Sequence, residues 1–451
     1  MHNDWVRLKD SAYFEHSARI HRSRFEAAEQ IQIINRTLFM NSLPEFTTQL
    51  KQYLDQHGIE WKDMRRVLHR FPEVSYQEHE TTQTIIDFLT KLGWHIERPL
   101  ETGCVATWTP KNKWDATHHT VAIRADIDAL PLQEEGEAKQ EFLSENPGVA
   151  HCCGHDAHTA ILLGVAQTLA HFYKQELLDP LAPQVVLVFQ PGEETTPGGA
   201  RLLMEHGLLQ QLGVDQIVAL HTAPFIPTGQ VALKEGMLMA RPDEFELILH
   251  GKGGHAGSPH ECIDPIIMAS DVVAQFQTIA SRQTHPADPV VVTVGSLHAG
   301  HTYNVIAEHA ELKGTVRTFS KDQAELVKSA MQRIADGVAA SYGGKATFTY
   351  REGYPAVVNH PEPTTHLQQA AQAANLEIQP LEKPLMAGED FSFYQQSIPG
   401  ALIFLGTGNS DPDIDSKYNW HHPKYNVDEA AIPHGVALFI QYLSTHSSSN
   451  P

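Results

Sequence analysis

The period of the apolar positions changes along this chain, and the changes divide it into regions. From Asn3 to about Asn41 the sequence is polar with scattered apolar residues and reads as helical, so residues 1–44 are taken as an N-terminal extension. Asn41-Ser42-Leu43-Pro44 breaks the pattern, and helical spacing resumes over Phe46–His57 and Trp61–Phe71, with Gly58 between them as the expected terminator. Short apolar runs then alternate with helical stretches: Val121–Arg124 before Thr159–Tyr173, Val185–Phe189 before Gly199–Gln210, and Ile217–Leu220 after that. Strand alternating with helix predicts an α/β domain with a mostly parallel sheet, in which sites form outside the carboxyl ends of strands. From Phe245 the order becomes strand Phe245–His250, helix Ile263–Ser281, strands Val290–Leu297 and Ala310–Phe319, helix Asp322–Ser341 and strand Ala346–Arg351. That βαββαβ order is ferredoxin-like and predicts an inserted domain over residues 242–352, with 45–241 and 353–451 forming the first domain.

Composition narrows the picture. A chain of 451 residues, 41% hydrophobic, buries a sizeable core and suits two domains better than one. Its formal charge is −21 (33 basic, 54 acidic residues) with no basic arm, which argues against nucleic acid and anionic membrane as partners. No uninterrupted apolar stretch of about 18 residues occurs, and Met1-His2-Asn3-Asp4 lacks a signal-peptide layout, so a cytoplasmic location is expected. Four cysteines, two of them the adjacent Cys152 and Cys153, do not resemble a disulfide framework; metal binding or an active thiol is the better use.

Four clusters could carry chemistry. His151-Cys152-Cys153-Gly154-His155-Asp156-Ala157-His158 precedes the helix starting near Thr159, where a thiolate and an imidazole two residues apart can face one ion and the helix N-terminus favours the thiolate. Cys152 and His158 read as structural. Gln190-Pro191-Gly192-Glu193-Glu194 ends an apolar strand, and adjacent carboxylates there point different ways, so that one binds an ion while the other takes a proton from the ion's water. His221 closes the run Ile217–Leu220 and can reach the same mouth. In Trp420-His421-His422-Pro423 nothing local distinguishes the two histidines.

With these clusters the chain resembles the M20 family of metallopeptidases, in particular its amidohydrolase branch of hippurate hydrolases, plant auxin-conjugate hydrolases and bacterial N-acyl amino acid amidohydrolases. The resemblance runs from about Trp61 to Tyr442 through Arg65–Pro72 with Glu73, Arg124–Pro131, Cys153–Asp156, Glu193-Glu194, His221–Pro224, Gly251–Gly257, Gly388–Phe391, and His421 with Pro423. It implies two divalent ions per subunit, zinc or manganese with cobalt or nickel as alternatives, held by Cys153 as a bridging thiolate with His155, Glu194, His221 and His421. It implies Glu193 as general base and acid, and an orienting role for Asp126. The inserted domain matches a lid that also forms a homodimer contact, from which His255 reaches the partner's site to stabilise the oxyanion, while Asn304 and Arg317 hold the substrate carboxylate. Cys152, Gly192, Ala307 and His422 depart from the family's usual residues, and Cys152 raises the prospect of easier oxidation.

The expected reaction is cleavage of the amide bond of a small N-acyl amino acid, N-acetyl, N-benzoyl or similar, to a free amino acid and a carboxylic acid. Three alternatives stand beside it: a dipeptidase or aminopeptidase on the same scaffold, a non-catalytic binding protein, and a cysteine hydrolase with Cys153 as nucleophile and His155 as its base. The last leaves Glu193, Glu194, His221 and His421 without a role.

Overall fold

A computed structural model describes residues 46–108, 119–175 and 184–446; the extension expected over 1–44 lies outside them. The first element is a single helix, α1, over 46–70. It runs through Gly58 instead of stopping there. A Cβ at Gly58 would lie 3.1 Å from Pro433 Cγ, so this glycine serves close packing. Helix α2 is His79–Leu92 and helix α3 is His155–Lys174. The helix expected over Gly199–Gln210 is two, Gly199–His206 and Leu208–Gln211, divided at Gly207 in the left-handed conformation (φ 82°).

The strands are β1 (His95–Glu97), β2 (Cys104–Trp108), β3 (Thr120–Asp126), β4 (Gln184–Gln190), β5 (Gln216–Pro227), β6 (Gln230–Leu233), β7 (Gly236–Met239), β8 (Arg241–His250), β9 (Gly254–His255), β10 (Val291–Ala299), β11 (Val305–Ile306), β12 (His309–Thr318), β13 (Lys345–Arg351), β14 (Val357–Asn359), β15 (Glu377–Pro380) and β16 (Gly400–Gly408). Eight of them form one sheet in the order β1-β2-β4-β3-β5-β16-β6-β15. Its centre, β4-β3-β5-β16, is parallel as expected, but the pairs β1–β2, β2–β4 and β6–β16 are antiparallel, so the sheet is mixed. Both faces are covered. Val121, Ile123, Leu187 and Val218 face a core shared with α1, α3 and the helix Ala431–His446, while Ala122, Val186, Val188 and Ala219 face a second core. Covering on both sides is why these strands read as continuous apolar runs.

Residues 241–351 build a second sheet, antiparallel throughout, in the order β10-β12-β8-β13. The elements follow in the order β8, helix Pro265–Thr278, β10, β12, helix Lys321–Ser341, β13, and the two helices pack on one face of the sheet. Burial alternates along β8, as period-two geometry requires when only one face is covered. Among the described residues no helix is long and apolar enough to cross a membrane.

The register aligns the carboxyl ends of β3 and β4, where Asp126 lies opposite Gln190, whereas His221 lies within β5, opposite Phe404 of β16, because the strand that its apolar run begins continues to Pro227. Helix α3 lies close beneath: a Cβ at Gly164 would come within 2.7 Å of Val436 Cγ2 and 3.0 Å of the Trp61 ring. At Gly337, on the exposed side of Lys321–Ser341, an added Cβ meets nothing within 4 Å. Gly164→Ala is therefore expected to destabilise by about 1–3 kcal/mol through overpacking, and Gly337→Ala to stabilise by about 0.5–1 kcal/mol through lost unfolded-state entropy. Thermal unfolding of the two variants measures both signs.

Candidate metal centre

Helix α3 begins at the cluster. Gly154 precedes it at φ 96°, and a Cβ there would lie 2.2 Å from Thr222 Oγ1 and 2.6 Å from the Tyr425 hydroxyl. Only glycine fits, and the tight approach brings Cys153 and His155 against β5 at Thr222, beside His221. Both are buried, as is His221.

The two histidines are oriented alike. His155 Nδ1 donates to the backbone carbonyl of Asp128 at 2.9 Å, and His221 Nδ1 to that of Thr222 at 2.9 Å. A carbonyl can only accept, so Nδ1 is the donor in each ring and Nε2, the atom that carries the lone pair when the ring is neutral, faces inward. His221 Nε2 lies 3.5 Å from Cys153 Sγ. His155 Nε2 lies 4.0 Å from Glu194 Oε1, and neither of these buried atoms has a hydrogen-bond partner. His421 Nε2 lies 3.2 Å from the same Glu194 oxygen. His421 is held in the left-handed conformation (φ 63°), with its N–H donating 2.8 Å to Cys152 O. His422 turns away and stacks on Tyr418.

Ligand atoms of Cys153, His155 and His221 lie within 4.8 Å of one another, and so do those of Cys153, Glu194 and His421. Cys153 is common to both sets, the arrangement a bridging thiolate needs. Two buried ligand atoms without hydrogen-bond partners, beside a thiol and two aligned imidazoles, fit a soft-to-borderline divalent ion.

Carboxylates dominate the surroundings. Burial, followed by the charges of Glu194, Glu193 and Asp126, pushes the Cys153 thiol well above its ordinary value. The helix N-terminus alone therefore does not yield the thiolate expected from the sequence; a cation among these ligands would. Burial opposes charge on His155, but Asp126, Asp128 and Glu194 outweigh it and raise its pKa to about 10. Burial, then Glu389, Glu194 and Asp390, raise Glu193 well above the carboxylate range. Glu193 is fixed by Tyr354, whose hydroxyl donates 2.6 Å to its carbonyl, and by the Asp390 N–H at Oε1, 3.4 Å away.

Asp126 does not touch His155 Nδ1. It accepts from His158 Nδ1 and from Arg124 Nη1 (2.7 Å), and its Oδ2 stands 3.6 Å from His155 Nε2. The orienting contacts on His155 come from Asp128, whose carboxylate also accepts from the Glu194 N–H (3.0 Å) and Ser75 (2.7 Å). His158 Nε2 is occupied by the Thr222 N–H at 2.9 Å. The sequence reading overlooked Asp128; its place two residues beyond Asp126, still at the strand end, was the available signal. Cys152 is buried with its thiol pushed up to about 12 by burial first, which makes it a poor target for oxidation.

Behind the cluster lies a second charged network. Arg65 Nε donates to Asp156 Oδ2 at 2.6 Å; His69 bridges Asp156 (2.8 Å) and Glu134 (2.6 Å). Lys139 pairs with Glu134 at 2.6 Å and donates to the carbonyl of Tyr425 at 2.5 Å. The network thus ties the loop of His155 to the loop of His421. Burial would raise the Glu134 carboxyl, but His69 and Lys139 hold it at about 2.

The other expected residues lie on the second sheet. His255 is exposed on β9, beside β11, and its Nδ1 accepts from the Gly257 N–H (3.0 Å). Asn304 is exposed, and its carbonyl accepts from the Ala256 N–H at 3.1 Å. Arg317 is half-buried and donates to the Met386 carbonyl at 3.1 Å, close to Gly388-Glu389-Asp390. No hydrogen bond or ion pair among the described residues links these three to Cys153, His155, Glu194, His221 or His421.

Residues 122–445 match the model of peptidase family M20/M25/M40. The chain is 40% identical over 374 residues to an N-acetylcysteine deacetylase of Bacillus subtilis, covering 82% of this chain and 92% of that one. It is 38% identical over 386 residues to an N-acetyldiaminopimelate deacetylase of Geobacillus thermodenitrificans, covering 84% and 96%. A solved structure of the Bacillus subtilis YXEP protein, described as a dinuclear metal binding peptidase from the M20 family, superposes with a TM-score of 0.73 at 34% identity, covering 88% of this chain and 100% of that one.

Arg124→Met strands the buried carboxylates of Asp126, Glu389 and Asp390 and is expected to cost on the order of 3–5 kcal/mol in denaturant unfolding. Arg124→Lys should recover only part of it, because an ammonium lacks the guanidinium fork. Glu134 binds its proton less tightly when folded than unfolded. Its contribution is therefore present above its ordinary 4.5 and lost as pH falls toward about 2. Glu134→Gln should be less stable than the parent near neutrality, with the gap narrowing as unfolding is measured at progressively lower pH.

Proposed function

The chain belongs to peptidase family M20/M25/M40 and is a metal-dependent amidohydrolase of N-acyl amino acids, and we propose that it works through two divalent ions with Glu193 as the base. The observation that carries this reading is the convergence of His155 Nε2 and Glu194 Oε1, buried atoms without a hydrogen-bond partner, on a buried thiol that belongs to both ligand sets. Cys153 would bridge, His155, Glu194, His221 and His421 would complete the two sites, and zinc or manganese suits the donor set. When bound, such ions lower the pKa of water and polarise the scissile carbonyl.

The chain's own residues supply the rest. Glu193, adjacent to Glu194 but held by Tyr354 and Asp390, takes a proton from the attacking water and delivers it to the leaving nitrogen. Asp128 keeps the His155 ring in the tautomer that offers Nε2. Arg317 and Asn304 receive the substrate carboxylate, Arg317 because its fork offers paired donors. His255 stabilises the oxyanion from a partner subunit. We place the homodimer contact on residues 242–352, a lid domain in this reading. The unpaired edge of β10 and the exposed Ile266, Ile267, Leu297 and Val305 support that placement.

The cysteine-hydrolase reading is disfavoured, because burial and the surrounding carboxylates hold the Cys153 thiol well above its ordinary value, and because that reading leaves Glu193, Glu194, His221 and His421 without a role. Metal-loaded protein is expected to hydrolyse N-acyl amino acids in preference to simple dipeptides, to lose activity on chelation and to regain it with zinc or manganese. Activity that survives chelation would overturn the ligand assignment. Glu193→Gln should lower kcat on the order of a thousandfold while metal content, measured by elemental analysis, stays that of the parent. Retained turnover would remove Glu193 as the base.

A further inference from the structure

Beside the cluster runs an aromatic surface to which the reaction assigns no task. The Trp420 ring meets the His221 ring edge-to-face with centroids 4.8 Å apart, and its Nε1–H donates 2.7 Å to the Thr222 carbonyl, the same atom that fixes His221 Nδ1. The next residue, His421, points its Nε2 at Glu194. The indole is therefore held by one hydrogen bond beside His221, with which it shares an acceptor, and next in the chain to His421. Phe225 leaves the same strand as His221, four residues on, and packs edge-to-face on Trp420 at 5.4 Å and on Phe404 at 6.2 Å.

Phe225 is nevertheless 49% exposed, while the residues from Gln216 to Pro224 are buried. Single exposed apolar residues need no explanation. This one continues an aromatic row that begins at a metal-ligand candidate, His221, and reaches Phe225 through the Trp420 ring.

We propose that Phe225 and Trp420 form an aromatic subsite that selects substrates carrying an aromatic ring, on the acyl group or on the amino acid side chain, over N-acetyl amino acids with small side chains. The proposal rests on the amidohydrolase reading and adds the substrate class to it. Aromatic pairs favour the edge-to-face arrangement that Phe225 and Trp420 already adopt, and a third ring extends it while covering the exposed phenyl face. An acetyl methyl or an alanine side chain is too small to cover that face. Because the Trp420 ring is pinned by its N–H, little side-chain entropy is lost on binding.

The test compares N-benzoyl-alanine, N-acetyl-phenylalanine and N-acetyl-alanine with metal-loaded parent, Phe225→Ala and Phe225→Leu. At least one aromatic substrate is expected to exceed N-acetyl-alanine in kcat/KM by roughly tenfold or more in the parent. That ratio should collapse in Phe225→Ala and be intermediate in Phe225→Leu. Which of the two aromatic substrates responds identifies the arm that meets the subsite. Equal kcat/KM across the panel in the parent, or an aromatic preference that Phe225→Ala leaves intact, overturns the proposal.

Calorimetric binding of N-benzoylglycine and N-acetylglycine to metal-loaded Glu193→Gln, with and without Phe225→Ala, reads the subsite without turnover. A preference for the benzoyl compound that Phe225→Ala removes supports the subsite even if no panel member is cleaved, an outcome that would sink the amidohydrolase reading instead. Equal affinities in both proteins overturn the subsite while leaving that reading untouched.

Discussion

A single buried guanidinium lets the end of the central sheet hold its charge. Arg124 donates to Asp126, Glu389, Asp390 and the Gln190 amide, all of them buried, from the middle of β3. Without it three carboxylates would share a region of low dielectric, where each unpaired charge costs several kcal/mol. Even with it, burial and Glu389 leave the Asp390 carboxyl raised to about 8. The consequences reach the site directly. Asp390, aligned by Arg124 and Gln190, accepts from the N–H of Ala200 at 3.0 Å and donates its own N–H to Glu193. The candidate base thus sits at the end of a chain of contacts that starts in the sheet.

The candidate ligand residues are held by a second network, that of Arg65, His69, Glu134 and Lys139. It ends on the carbonyl of Tyr425 and on Asp156, which places the loop of His421 and the first turn of α3 under common restraint. Two buried networks therefore fix the back of the cluster from different directions, with Asp128 between them on His155 and Glu194. The front is less constrained: His421 is more than half exposed, and Phe225 opens to solvent. A rigid rear wall and an accessible mouth suit a site that must keep ligand geometry while admitting substrates of different shape.

The carboxylate excess also explains why this cluster calls for cations. Glu193, Glu194, Asp126 and Asp128 surround one thiol and imidazoles whose lone pairs point inward, and in the absence of positive charge the thiol and Glu193 hold their protons tightly. Divalent charge among them would reverse that direction for both the thiol and Glu193, the pattern expected where a metal is part of the folded design.

The sequence by itself determined the strand and helix alternation, the βαββαβ order of residues 241–351 and the clusters at strand ends, because burial on both faces and period-two alternation are local patterns written residue by residue. It also singled out Cys153, His155, Glu193, Glu194 and His221, whose spacing and neighbours are unusual. It did not determine that α1 runs through Gly58, since the reason is Pro433, a residue distant in the chain. Nor did local sequence choose between His421 and His422, a choice the family resemblance made first; in the structure the Cys152 carbonyl and Glu194 hold the former. The contact of Asp128 with His155 was not legible for the same reason, because which carboxylate reaches a ring depends on register and backbone path, not on spacing. Long-range contacts of this kind, Arg124 with Asp390 and Lys139 with Tyr425 among them, carry no local signature and were decided only when the chain closed on itself.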